Sequence, residues 1–188
     1  MDRAAIAAAR PFRILGVVVL AVAASPHVRA ADSAESVALP PPGAIPALNF
    51  FVDRKLGGAL ESSLEEAARR LSDSRCQELL GDYTDGAGRP LGENLRAIGQ
   101  SMPGYLTLVL FYDGSGTEPC EAERIMAWTS PGSRAVHVCA AQFSRWQRAS
   151  PGYAANILIH EALHTLGLRE GPPAPGAITQ RVAERCGQ

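Results

Sequence analysis

The sequence contains His160-Glu161-Ala162-Leu163-His164, two imidazoles four residues apart with a carboxylate next to the first. On a helix, side chains at i and i+4 share a face, so both imidazoles can bind one metal ion. A carboxylate between them can hold and deprotonate a water on that ion, which is the chemistry of metal-assisted hydrolysis. The donor types predict one catalytic zinc, with His160 and His164 as ligands and Glu161 as general base. Ser150 and Pro151 supply an N-cap and a first helical position, and Gly167 a left-handed terminator. They predict a helix from Pro151 to about Leu166. On it Tyr153, Ile157, His160, Glu161 and His164 share one face, and apolar residues cover most of the rest. Such a helix is buried in its fold. Three buried polar groups are costly unless something satisfies them, and a metal ion does so.

The wider pattern His160-Glu161-x-x-His164-x-x-Gly167-x-x-Glu170 resembles the zincin metallopeptidases, by spacing their metzincin and snapalysin-like branches. In those the helix ends at the glycine and the chain turns back, bringing a His or Asp to the metal. The resemblance puts Glu170 in that third-ligand position. Three residues can span roughly 10 Å, enough for the return after a left-handed glycine. Glu stands where those families have His or Asp. No Met follows His164, so the Met-containing turn of the metzincins has no counterpart here. Glu184, 20 residues after His164, has a spacing similar to that of the thermolysin-type gluzincins and remains an alternative ligand. So does His137, which alternates with Val136 and Val138 on an expected strand. The resemblance covers about eleven residues in detail. It implies a zincin-like fold and a zinc metallopeptidase acting on a peptide or protein substrate, which would lie along the strand ending near Cys139. The alternative is a non-catalytic zincin-like module, in which structural zinc supports a binding protein.

The elements that must position these residues are read from periodicity and turn chemistry. Leu60, Leu64, Ala67, Ala68 and Leu71 recur at helical spacing and predict a helix over 59–80. Residues 81–92 read as a loop, and Tyr105 to Tyr112 as a central strand, apolar nearly throughout. A turn at 113–119 precedes two strands, 124–129 and 134–140, joined by Ser130-Pro131-Gly132-Ser133. A Pro-rich loop and a short helix over 178–185 close the chain. The expected class is α+β: a small mixed sheet, a central active-site helix and a short C-terminal helical tail. Gly114-Ser115-Gly116 lacks the Lys-Ser/Thr of a phosphate loop, and Asp82, Asp85 and Gly86 fall short of a calcium loop; both read as turns.

Residues 1–30 combine Arg3, Arg10 and Arg13 with an apolar run from Ile14 to Ala24 and small residues beyond. This is the pattern of a secretory signal peptide, and the run is too short for a membrane span. Residues 31–50 form a Pro-rich flexible leader, and 51–188 the domain. Across all 188 residues the net charge is −1; without residues 1–30, 14 basic and 18 acidic residues give −4. That balance excludes a basic nucleic-acid binder. The expectation is a secreted or periplasmic monomer with no membrane anchor after cleavage. Four cysteines in an exported chain suggest two disulfides. The expected hairpin pairs Cys120 with Cys139, leaving Cys76 with Cys186.

Overall fold

The computed structural model describes residues 49–171 and 173–187. The expected signal peptide, and the expected leader up to residue 48, lie outside the described residues. Strand β1 (Asn49–Phe51) is followed by helix α1 (Arg54–Leu71). Asp53 Oδ1 accepts the Leu56 N–H at 2.8 Å, and this cap starts the helix ahead of Gly57-Gly58, earlier than expected. The helix buries Leu56, Leu60, Leu64, Ala67 and Leu71. It also ends earlier than expected. The Asp73 carboxylate accepts the Arg75 N–H and begins a separate turn, α2 (Ser74–Gln77), followed by α3 (Leu79–Asp82). Within the expected loop, Leu91 opens α4 (Leu91–Ile98), which Gly99 ends at φ +72°.

The strand expected over 105–112 is corrected. Its first residues belong to helix α5 (Met102–Leu106), and only Leu110–Asp113 is strand β2. Ser101 caps that helix, its Oγ accepting the Gly104 N–H at 3.2 Å, and Pro103 sits in the first turn. These local start signals outweigh the apolar run. Beyond β2 come α6 (Glu118–Glu121), β3 (Ala127–Thr129), β4 (Ala135–Val138), α7 (Ala140–Ala149), α8 (Pro151–Thr165) and α9 (Pro175–Cys186).

The described residues form a mixed α/β structure with a sheet of order β1-β2-β4-β3, parallel across β1, β2 and β4 and antiparallel between β4 and β3. Strand β2 is interior, as its apolar run requires. Strand β4 is interior too, because the returning β3 covers its outer side. The edge expected at β4 is therefore at β3. Phe111, Val136 and Val138 face the core, where α1 and α8 pack. On the opposite face, register aligns Phe51, Tyr112, His137 and Trp128 in a stacked row with centroids 4.7, 5.8 and 4.3 Å apart. Disulfides join Cys120 to Cys139 and Cys76 to Cys186, the second tying α2 to the end of α9. Among the described residues no helix is long and apolar enough to cross a membrane.

Candidate metal centre

Helix α8 packs against α1, α7, α9 and the sheet, and from Ala154 to Thr165 every residue except Ile157 is buried. Its polar side chains are therefore the ones that need partners. Asn156 Oδ1 accepts from Arg70 Nη1 at 2.8 Å, and Thr165 Oγ1 donates to the Ala162 carbonyl. His160, Glu161 and His164 are left on the stripe identified above, 5, 6 and 3 % exposed.

The two imidazoles are oriented through Nδ1. His164 Nδ1 lies 2.8 Å from the Leu168 carbonyl oxygen, which can only accept, so Nδ1 carries the hydrogen and the neutral ring's Nε2 carries a lone pair. His160 Nδ1 lies 3.0 Å from Thr179 Oγ1, a hydroxyl on α9. This leaves the two Nε2 atoms facing each other at 2.9 Å. Glu170 Oε1 is 3.6 Å from His164 Nε2, and the three ligand atoms lie within 4.8 Å of one another. Zinc bonds of about 2.0–2.1 Å in a tetrahedral array imply ligand–ligand edges of about 3.3 Å. Two of the three edges, 2.9 and 3.6 Å, bracket that value and the third lies within 4.8 Å, so the donor set could hold a metal ion once the Glu170 carboxylate closes slightly on the imidazoles.

Electrostatics point the same way. Burial pushes His160 down to about 3, helped by neighbouring His164, and so keeps the ring neutral, the form that ligates. Burial pushes Glu161 up to about 8, and the Glu170 carboxylate adds to this. A cation at the cluster reverses that penalty and favours the Glu161 anion.

Glu170 reaches the imidazoles because α8 ends in a tightly bonded turn. Gly167 adopts φ +109°, its N–H bonds to the His164 carbonyl at 2.8 Å, and the Leu168 N–H returns to the Leu163 carbonyl at 3.2 Å. A Cβ on Gly167 would stand 3.0 Å from Asp85 Cβ, so the loop after α3 can press against this turn. There Asp85 bridges to Leu168, and Asn94 Nδ2 donates both to Asp85 Oδ2 and to the Leu166 carbonyl, each at 2.9 Å. From the other hairpin, the Gly132 N–H bonds to the His164 carbonyl at 2.8 Å.

The cluster opens on a cleft of about 500 Å³ lined by Glu161, His164 and Glu170 together with Trp128 and Thr129 of β3. Glu184 lies elsewhere on α9, bonded to Gln180 and Arg181, and His137 is stacked in the aromatic row on the outer sheet face. Neither joins the cluster. Sequence reasoning missed Thr179 and Asn94 and read Asp85 only as a turn residue. Their partners lie 19 and 72 residues away for His160–Thr179 and Asn94–Leu166, beyond any local pattern. No protein-family model, curated protein or solved structure matches the chain.

Proposed function

We propose that the chain is an exported zinc-dependent peptidase of zincin-like architecture. The observation that carries this reading is the convergence of three metal-capable side chains with a buried carboxylate at one cleft. Structural zinc sites are closed by four protein ligands, whereas catalytic sites keep a position free. Three donors facing an open cleft favour catalysis over the structural-zinc module.

His160, His164 and Glu170 would hold the ion. When bound, zinc supplies the Lewis acidity that polarises a peptide carbonyl and acidifies a water. Glu161 takes the proton from the attacking water and delivers it to the leaving amine. The Leu168 carbonyl and Thr179 hydroxyl hold the imidazoles in orientation. The free edge of β3 borders the cleft and offers backbone groups to an extended peptide. Two disulfides fit an oxidising compartment, in keeping with the signal peptide read from residues 1–30.

The test compares wild type with Glu161→Gln for bound zinc and for chelator-sensitive cleavage of casein. The variant is expected to retain the metal while losing about 10²- to 10⁴-fold in rate. A wild-type protein that binds zinc and cleaves nothing would instead support the non-catalytic module.

A further inference from the structure

We infer that Arg169 determines specificity by binding a carboxylate on the substrate, an inference that rests on the peptidase reading above. Arg169 immediately precedes Glu170, and it lines the same cleft as Glu161, His164 and Glu170. It is the only basic side chain, other than the imidazole of His164, among the described residues lining that cleft.

The guanidinium occupies the space that a side chain at residue 86 would take. A Cβ on Gly86 would stand 2.2 Å from Arg169 Nε and 2.5 Å from Cζ, so the planar group lies directly on the Gly86 backbone. Any other residue type there would displace it. The neighbouring carboxylate does not neutralise it. Asp85 Oδ1 accepts from the Ala87 and Arg89 N–H groups, and Oδ2 from Arg89 Nε and Asn94 Nδ2. Both oxygens are committed. Glu170, the other acid close in sequence, is turned toward His164. Arg69, Arg70, Arg89, Arg181 and Arg185 meet carboxylates; Arg169, like Arg54, Arg124 and Arg148, meets none among the described residues, and of these four it alone lines the cleft. Among the described residues Arg169 thus pairs with no carboxylate, and it lines both the cleft and the adjoining recess over Gly86.

A guanidinium matches an anion accepted bidentately, which on an unmodified peptide substrate is a carboxylate. The source is either an acidic side chain near the scissile bond or the C-terminal carboxylate of a short peptide. Neutral amide isosteres fill the same volume without the charge, so the discrimination resides in the guanidinium.

The experiment uses the zinc-loaded full chain carrying Glu161→Gln, so that peptides bind without being cut. The probes are N-acetylated, C-amidated alanine hexapeptides with one Glu walked through the positions, their Gln counterparts, and the all-alanine peptide with a free C-terminus. Calorimetric titration is expected to show one Glu position, or the free carboxylate, bound about ten- to a hundredfold more tightly than its amide counterpart. Preference for a Glu position assigns an acidic side-chain subsite; preference for the free terminus assigns C-terminal trimming. Arg169→Gln added to this protein should bring the ratio to about one, and Arg169→Lys should restore part of it. Gly86→Ala, which displaces only the flexible end of Arg169, should lower the ratio as well. Equal binding of acid and amide peptides, no binding of any probe, or a preference that survives Arg169→Gln overturns the inference. The peptidase reading is judged separately, by casein cleavage, so the two can fail independently.

Discussion

At the scale of single residues, the charge of Glu161 depends on what occupies the space beside it. In the metal-stripped protein its folded pKa of about 8 stands above the unfolded value of 4.5, so the folded state keeps a proton that the unfolded chain releases. That contribution is complete below 4.5 and is lost as pH rises toward 8. His160 acts oppositely: its folded value of about 3 lies below 6.5, so its penalty grows only as pH falls below 6.5. Between pH 6.5 and 8 Glu161 is therefore isolated from His160. The thermal midpoint of chelator-treated wild type should drop across that window, with a limiting slope of about 1.4 kcal/mol per pH unit for one proton. Glu161→Gln should flatten the drop, and parallel curves for the two proteins would refute the assignment. A second expectation concerns the third donor. Glu170→Ala should weaken zinc binding by more than about 100-fold. Glu184→Ala should leave it within twofold, since among the described residues Glu184 bonds along its own helix, to Gln180 and Arg181. Zinc titration of the two variants against a competing chelator distinguishes them.

At the scale of elements, the centre depends on how α8 stops. The left-handed Gly167 reverses the chain, but the reversal is held by a loop distant in sequence, through Asp85 and Asn94. Asn94→Ala leaves the Leu166 carbonyl and one Asp85 oxygen without that donor. A loss of about 1–3 kcal/mol in denaturant unfolding is expected, together with about tenfold weaker zinc binding from a looser Glu170. Unchanged zinc affinity would show that the return segment is held without this clamp. The legibility of elements followed their apolar periodicity. Helices α1 and α8 bury long stripes and were visible, although α1 proved shorter at its C-terminal end than the periodicity implied. Helix α7 buries only Phe143, and α4 only Leu91 and Leu95, so their patterns were too thin to register. Helix α5 was read as strand because the apolar run after Tyr105 masked the Ser101-Met102-Pro103 start.

At the scale of the whole molecule, the two disulfides do unequal work. Cys76–Cys186 closes a separation of 110 residues and Cys120–Cys139 one of 19. Loop-closure entropy predicts that removing the longer link destabilises by about 1.5 kcal/mol more than removing the shorter. Paired Ser variants compared by denaturant unfolding check this; a larger loss from the hairpin link would contradict it. The sequence by itself determined whatever depends on short separations along the chain. The i, i+4 placement of His160 and His164, the glycine stop at Gly167 and the hairpin that pairs Cys120 with Cys139 are all of this kind, because helix and turn geometry is a property of the local backbone. Only the tertiary structure decided which carboxylate stands beside the imidazoles, that Thr179 and Asn94 support the site, and that β3 rather than β4 is an edge strand. Those outcomes depend on how separate elements pack, and the same local pattern is compatible with several packings.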